Sequence, residues 1–458
     1  MIAAYKEHIQ FIMILVFMYI MGVWVDPTIY IIFPVVLVLL GIKQRFFELF
    51  ITAIWMLILS DYIPVANATY QDLQFAKDLK PLIPLTLAAF AVLNRELFSP
   101  IPKFIIYFVP FFLVVSLGLS QSINITVGLQ KTISYVLMYI MIPIYVNYLH
   151  KEQKELFWIS LLTFCIGMLT IGVVLGFAIP EIGVLGNSTR FKGVFGNPNA
   201  AGFFATLIFI LWVVIEEFQL AKITKKERWY ILTIIFTTII WCGSRNALLT
   251  TSIFFLTYSL LKINWGITLI VLLSFLVFSD QIFNLFVEGI AFFGLEEFFR
   301  VSSLEEGSGR YVAWIFAWDQ IQDTFFIGGG FGHDEHTMRP NYYWLQMEGH
   351  DGGVHNSYLS MWFDSGIVGV FSYFTAFLTL IFKSIKHNNI SFAFAVALLF
   401  NITYESWLVA SLNPFTIIFL TILTILGQKL VGKNYVPVEK DEHEDHILEI
   451  SQLKSQTH

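Results

Sequence analysis

What most constrains this chain is the recurrence, from end to end, of apolar stretches long enough to cross a lipid bilayer. They occupy residues 9–25, 28–42, 46–63, 82–94, 103–120, 129–149, 157–178, 199–215, 229–242, 246–261, 264–279, 357–381, 391–409 and 413–428, and the shortest leave the number of crossings between twelve and fourteen. A helix crosses a hydrocarbon core of roughly 30 Å with about 20 residues. Backbone groups in lipid must satisfy one another within the segment, which leaves helices for runs of this kind. Composition agrees: 57% of residues are hydrophobic and 13% charged, with a mean hydropathy of +0.72, whereas about a quarter of a soluble domain is charged. The expected fold is all-α, a polytopic integral membrane protein with one long external loop containing short helices. Residues 1–178 are expected to form N-terminal transmembrane helices and 179–279 further helices with outward arginines. Residues 280–356 form the external loop, 357–430 the C-terminal helices and 431–458 a cytoplasmic tail.

The first run lacks a small-residue cleavage site and is followed at once by another, so it is expected to remain as an anchor. Cys165 and Cys242 lie in apolar runs and are expected to be buried thiols that say little about redox compartment. With the N-terminus placed in the cytoplasm, alternate connections carry Lys43 and Arg45, Arg95, Lys151 and Lys154, then Lys222, Lys225, Lys226 and Arg228. Lys262, Lys383 and Lys386, and Lys429 and Lys433 complete the series. This alternation follows the positive-inside rule and puts both termini in the cytoplasm and residues 280–356 outside. The tail from Val436, with VEKDEHEDH, is dense in charge and expected to be disordered, its His443 and His446 solvated.

Cations also fall on the outer side. Lys77 and Lys80 are balanced by Asp61, Asp72 and Asp78, but Arg190, Lys192, Arg245, Arg300, Arg310 and Arg339 have fewer acids close by. Arg245, in WCGSRNALL, is squeezed between two apolar spans, where a guanidinium is costly without an anion or a watery cavity. A single arginine of this kind can snorkel to the interface. Several on one side suggest an anion site, and the guanidinium fork suits a diphosphate.

Titratable side chains collect between Gly309 and Gly369, where His333, His336, His350 and His355 are four of the ten histidines. GGGFG at 328–332 has the glycines of a phosphate cradle but not its strand–helix context, so a flexible turn is expected. Tyr311, Trp314, Ile315, Trp318 and Ile321 recur at helical spacing, which predicts an amphipathic helix on the membrane surface over 308–324. Trp314, Trp318, Trp344 and Trp362 suit sugar stacking or an interfacial aromatic belt. Asp364 follows His355 by about 13 Å along a regular helix, too far to orient it, and is expected to anchor the loop. His333, Asp334, His336, His350, Asp351 and His355 could ligate a metal, but their spacing matches no standard zinc pattern and no metal is expected.

Three motifs, in this order, resemble the O-antigen ligase/polymerase superfamily of bacterial polysaccharide enzymes: GVFGNPNAAGFF at 193–204, GSRNAL at 243–248, and the Gly309–Gly369 stretch. The sharpest match is His355-Asn356, nine residues, then Gly366-Ile367-Val368-Gly369. The resemblance covers the chain from about Arg190 onward; the earlier spans match only in being hydrophobic. It implies a glycosyltransferase without metal or cofactor, in the bacterial inner membrane. The donor would be an undecaprenyl diphosphate-linked glycan and the acceptor a lipid A-core or a growing glycan, with membrane lipids around it and no nucleic acid. His355 matches the family's loop histidine, Arg190, Arg245 and Arg310 its outward-facing arginines, with Asn356, Asp364, Gly366 and Gly369 in support.

The chemistry points the same way. Transfer from a lipid diphosphate needs cations for the leaving group and a base for the acceptor hydroxyl, and histidine titrates near neutrality. The plainer reading of His355 is a helix cap, and of Gly366 and Gly369 close helix packing. A flippase for the same lipid-linked glycans would need ionisable groups near the bilayer midplane. Glu48 and Glu405 lie near predicted span ends instead. Ligase and polymerase are not separated by these residues.

Overall fold

The computed structural model describes residues 8, 10–18, 21, 32–61, 79–186, 189–292, 294, 309–350, 352–410 and 412–431. The expectations for Lys77, Asp72, Asp78, Arg300, Asp351, the rest of the first span and the tail from 432, with His443 and His446, lie outside them. The described residues are helical apart from turns and one antiparallel bridge between Val184 and Phe191. Helices cover Ile32–Ile42, Phe46–Asp61, Leu82–Leu93, Lys103–Gln121, Ile125–Gln153, Glu155–Ala178, Pro198–Glu217, Lys225–Trp241, Arg245–Ile263 and Trp265–Val277. Ser357–Ile385, Ile390–Asn401 and Pro414–Val431 follow the loop region. Each expected span from 28–42 onward overlaps one of these. Of the first span, residues 10–18 are helical. Six are long and apolar enough to cross a membrane unaided, and large apolar side chains such as Phe177, Phe255, Ile270 and Phe371 stand exposed on the helices, as lipid contact requires.

Two departures matter. The expected span 391–409 ends at Asn401, and residues 402–410 run as turns, because the NITYES sequence puts polar groups where the helix would have to continue through lipid. The expected loop 280–356 begins with a helix, Ser279–Phe292, and later contains Arg310–Ile321, His333–Met338 and Tyr342–Met347.

The bundle has two chemically different ends. At one, the basic connections are tied together: Gln44 donates to Asn94 (3.1 Å), Lys151 to the Ser99 carbonyl (3.4 Å), and Gln428 to Asn147 (2.7 Å). The Lys222 amide donates to Glu155 (2.7 Å), and Glu217 takes Asn388 (3.4 Å) and pairs with Lys262 (3.5 Å). At the other end lie the segments 179–197, 242–246, 309–356 and 402–412, which hold the candidate site.

The Ser357–Ile385 helix is interrupted at Gly366, whose φ of +64° and ψ of 179° are not helical. A break strands backbone groups that must be paired when buried, and the loop at 325–332 pairs them. Gly329 and Gly330 amides donate to the Phe363 and Asp364 carbonyls (2.9 and 3.0 Å). Ile367 and Val368 amides donate to the Phe325 and Phe326 carbonyls (2.9 and 3.2 Å). The glycine run is therefore a fitted splice, not the flexible turn expected. A Cβ on Gly366 would sit 2.2 Å from the Phe326 backbone, and one on Gly328 2.4 Å from the Ser365 amide nitrogen. A Cβ on Gly369 would meet the Ser365 hydroxyl at 2.1 Å. Both supporting glycines thus allow close approach, but of the helix's own loop and residues rather than of a neighbouring helix.

Candidate active site

The sequence motifs turn out to be helix starts gathered at the second end. Asn197 of GVFGNPNAAGFF accepts the Ala200 amide (2.9 Å), with Pro198 in the first turn. Ser244 of GSRNAL accepts the Ala247 amide (3.4 Å), and Asn356 accepts the Leu359 amide (3.0 Å). Short polar side chains at these positions satisfy amides that a helix start leaves unpaired. They also bring the partially positive N-terminal ends of several helices to one place. Gly202 lets two of them meet: a Cβ there would lie 2.6 Å from Cys242 Sγ and 2.9 Å from Ala247.

The three arginines surround this junction. Arg190 donates from Nε to the Cys242 carbonyl and from Nη2 to Asn199 Oδ1, both at 2.9 Å, which fixes its guanidinium between the Pro198 and Arg245 helices. Arg245 is the first residue of its helix and partly buried. Its neighbour Asn246 donates to the Asn401 carbonyl (3.2 Å). Arg310 opens the Arg310–Ile321 helix behind Gly309, which has φ +71° and whose missing Cβ would overlap the Gly349 carbonyl at 2.1 Å. Arg310 faces Glu405 at 3.6 Å and stacks over the Tyr404 ring at 5.8 Å.

Glu405 joins these groups. Burial pushes its carboxyl up to about 7, against the pull of Arg310, a hydrogen bond from Asn246 and the charge of Arg190. It is held by its backbone: Ser357 donates its hydroxyl to the Glu405 carbonyl (2.6 Å) and its amide to the Ile402 carbonyl (2.8 Å). Sequence reasoning set Glu405 aside because it lay near a span end, although an acid inside an apolar run is a functional signal in itself. Lys192 was also passed over as a site residue. It is buried two residues beyond Arg190, and burial draws its ammonium down.

His355 occupies the turn that leads into the Ser357 helix, with φ +48°, a left-handed conformation that is uncommon outside glycine. Trp314 donates to the Val354 carbonyl just before it (3.0 Å). His350 Nε2 meets the Gly353 carbonyl at 2.8 Å, and the two histidine rings are 5.6 Å apart. His355 itself is only partly buried. The capping role is Asn356's. Ser357 ties the histidine turn to the Glu405 segment, so His355, Arg190, Asn246, Arg310 and Glu405 share one neighbourhood.

Asp364 lies elsewhere. It accepts the Gly332 and Asp334 amides, both at 3.1 Å, and so holds the start of the His333–Met338 helix. Beside it Lys131 pairs with Glu335 at 2.7 Å. Burial and Glu335 push Asp334 up to about 6, while burial and His336 draw His333 down. His333 packs on Phe363 at 5.9 Å. The loop histidines thus divide between two places, and among the described residues no three His, Cys, Asp or Glu side chains gather as a metal-holding group. A helix forms there, but the expected stripe divides: Ile321 is buried with Ala313 and Ala317, while Tyr311, Ile315 and Trp318 stand exposed. Trp362 donates to the Phe325 carbonyl (3.0 Å), so with Trp314 two of the four tryptophans serve the loop's own structure.

Residues 230–374 match the family model described as O-Antigen ligase. The matched segment contains Arg245, Arg310, His355 and the Gly366 break. Arg190, the 193–204 motif and Glu405 lie outside it, so it starts later than the resemblance read from the sequence. No curated protein matches the chain.

Proposed function

We propose that this chain, whose residues 230–374 match the O-Antigen ligase family model, is a glycosyltransferase of the bacterial inner membrane. It moves a glycan from undecaprenyl diphosphate to an acceptor hydroxyl on lipid A-core, at the outer face. The observation that carries the reading is the gathering of Arg190, Asn246 and Arg310 around Glu405, with the His355 turn tied to the same segment through Ser357, at the end opposite the basic connections. The basic end faces the cytoplasm. The arginines and helix N-termini hold the diphosphate. The acceptor oxygen bonds to the sugar's anomeric carbon as the bond from that carbon to the diphosphate oxygen breaks. The bonding electrons leave with undecaprenyl diphosphate, and the hydroxyl proton passes to the His355 imidazole.

Reconstituted protein supplied with a defined lipid-linked donor and acceptor tests this. Wild type should form a new glycosidic bond, and His355→Ala should lower turnover by roughly 10²–10⁴-fold with donor binding kept. His355→Gln should do no better; near-normal activity in the Gln variant would remove the base role. Donor moved across the bilayer without a new bond would indicate a flippase. Polymerase remains the second reading within the superfamily. In a deletion strain, unligated long chains on the carrier support ligase, and single capped repeats support polymerase.

A further inference from the structure

The least explained group near the arginines is a carboxylate. Glu405 is 17% exposed at its side chain, faces Arg310 at 3.6 Å and leaves Oε1 buried without a hydrogen-bond partner among the described residues. That separation is an ion pair without the close fork of a bidentate arginine–carboxylate contact. Arg310 is steadied from the side by Tyr404. The backbone of Glu405 is fixed through Ser357, while among the described residues its carboxylate is held by a hydrogen bond from Asn246 and the charges of Arg310 and Arg190. A fixed backbone with a loosely paired anion suits a group that can turn aside.

We propose that Glu405 is the resident counter-ion of the diphosphate site: its carboxylate neutralises Arg310 and Arg190 while the donor is absent and gives way when the donor's diphosphate arrives. The inference rests on the reading of the arginines as the diphosphate site. A doubly esterified diphosphate brings two negative charges, and a third anion alongside them is unfavourable unless it moves to water or takes a proton. Glu405 already sits at about 7, so proton uptake is the easier route near neutral pH. The sign follows. A donor that raises the carboxyl's pKa above 7 binds more tightly as pH falls towards 7, by at most about tenfold per pH unit for one proton, and levels off below it. The groups acting on the Glu405 carboxylate are Arg310 from its helix, Arg190 from the segment before Pro198 and Asn246 from the Arg245 helix. Tyr404 lies beside it in the chain, and His355 lies two residues before Ser357, which bonds the Glu405 carbonyl.

The test measures binding of farnesyl-diphospho-N-acetylglucosamine, whose two charges are constant in this range, to the purified full chain in detergent between pH 6 and 8.5. Wild type should weaken about tenfold over that range. Glu405→Gln should bind at pH 8 about tenfold more tightly than wild type and vary less than about twofold with pH. His355→Gln, measured alongside, should keep most of the slope, which separates the histidine's titration from the carboxyl's. Weaker binding by Glu405→Gln at every pH would make Glu405 an orienting group and overturn the proposal, as would a flat wild-type profile. If wild type binds no probe at any pH, the diphosphate reading itself fails. Should Glu405→Gln not fold, calorimetry of His355→Gln in two buffers of different ionisation heat decides: close to one proton taken up per donor at pH 7.5 supports the counter-ion, and none overturns it.

Discussion

At the residue scale, the difference between arginine and lysine is the sharpest probe of the site. Arg190 uses two separate nitrogens, one on the Cys242 carbonyl and one on Asn199, a pair of directions that an ammonium on a flexible stem cannot reproduce. Replacing Arg190, Arg245 or Arg310 by Lys keeps the charge and loses the fork. Turnover with lipid-linked donor should fall roughly tenfold or more for each, toward the 10²–10³-fold typical of losing a transition-state donor, with the protein still folded by size-exclusion profile. Normal activity in all three Lys variants would leave the arginines as interfacial anchors. The charges of Arg190 and Arg310 were legible in sequence as cations on the wrong side, but the acid they face was not.

At the scale of elements, the joint between the broken Ser357–Ile385 helix and the 325–332 loop holds the site's frame. Gly366 has φ +64° with no room for a side chain. The backbone conformation alone costs a non-glycine residue on the order of 1–3 kcal/mol. Gly366→Ala should therefore lower the melting temperature and reduce transfer even though position 366 itself holds no substrate. Gly167→Ala, where a Cβ meets nothing within 4 Å, should leave both near wild type and serves as the matched control. A Gly366→Ala protein as stable and active as the control would mean that the splice is dispensable. The Gly366-Ile367-Val368-Gly369 motif was visible as a pattern, but its reason, a helix opened to receive loop hydrogen bonds, depends on residues 34 to 42 positions earlier in the chain.

At the scale of the whole molecule, sidedness is the property to test. Cysteines introduced at Gln322 and at Lys386, both exposed and at opposite ends, should label differently with an impermeant reagent added outside spheroplasts: Gln322→Cys strongly, Lys386→Cys only after permeabilisation. The native Cys165 and Cys242 are buried and should contribute little background. Labelling of the second but not the first would reverse the orientation and with it the face on which transfer takes place.

The sequence by itself determined the class of the molecule, the positions of the spans and the ends at which basic residues collect. Each follows from local properties, apolar length and charge between runs, that hold wherever the chain goes. It also marked His355 and the arginines, because a titratable or cationic group is conspicuous against so apolar a background. Only the tertiary structure decided which of these meet. It took Asp364 away from His355 to hold Gly332 and Asp334, ended the Ile390 helix at Asn401, and set Glu405 opposite Arg310 across 95 residues of chain. Such pairings are fixed by how helices pack and where a buried charge can find a partner, and neither is written in the local pattern of residues.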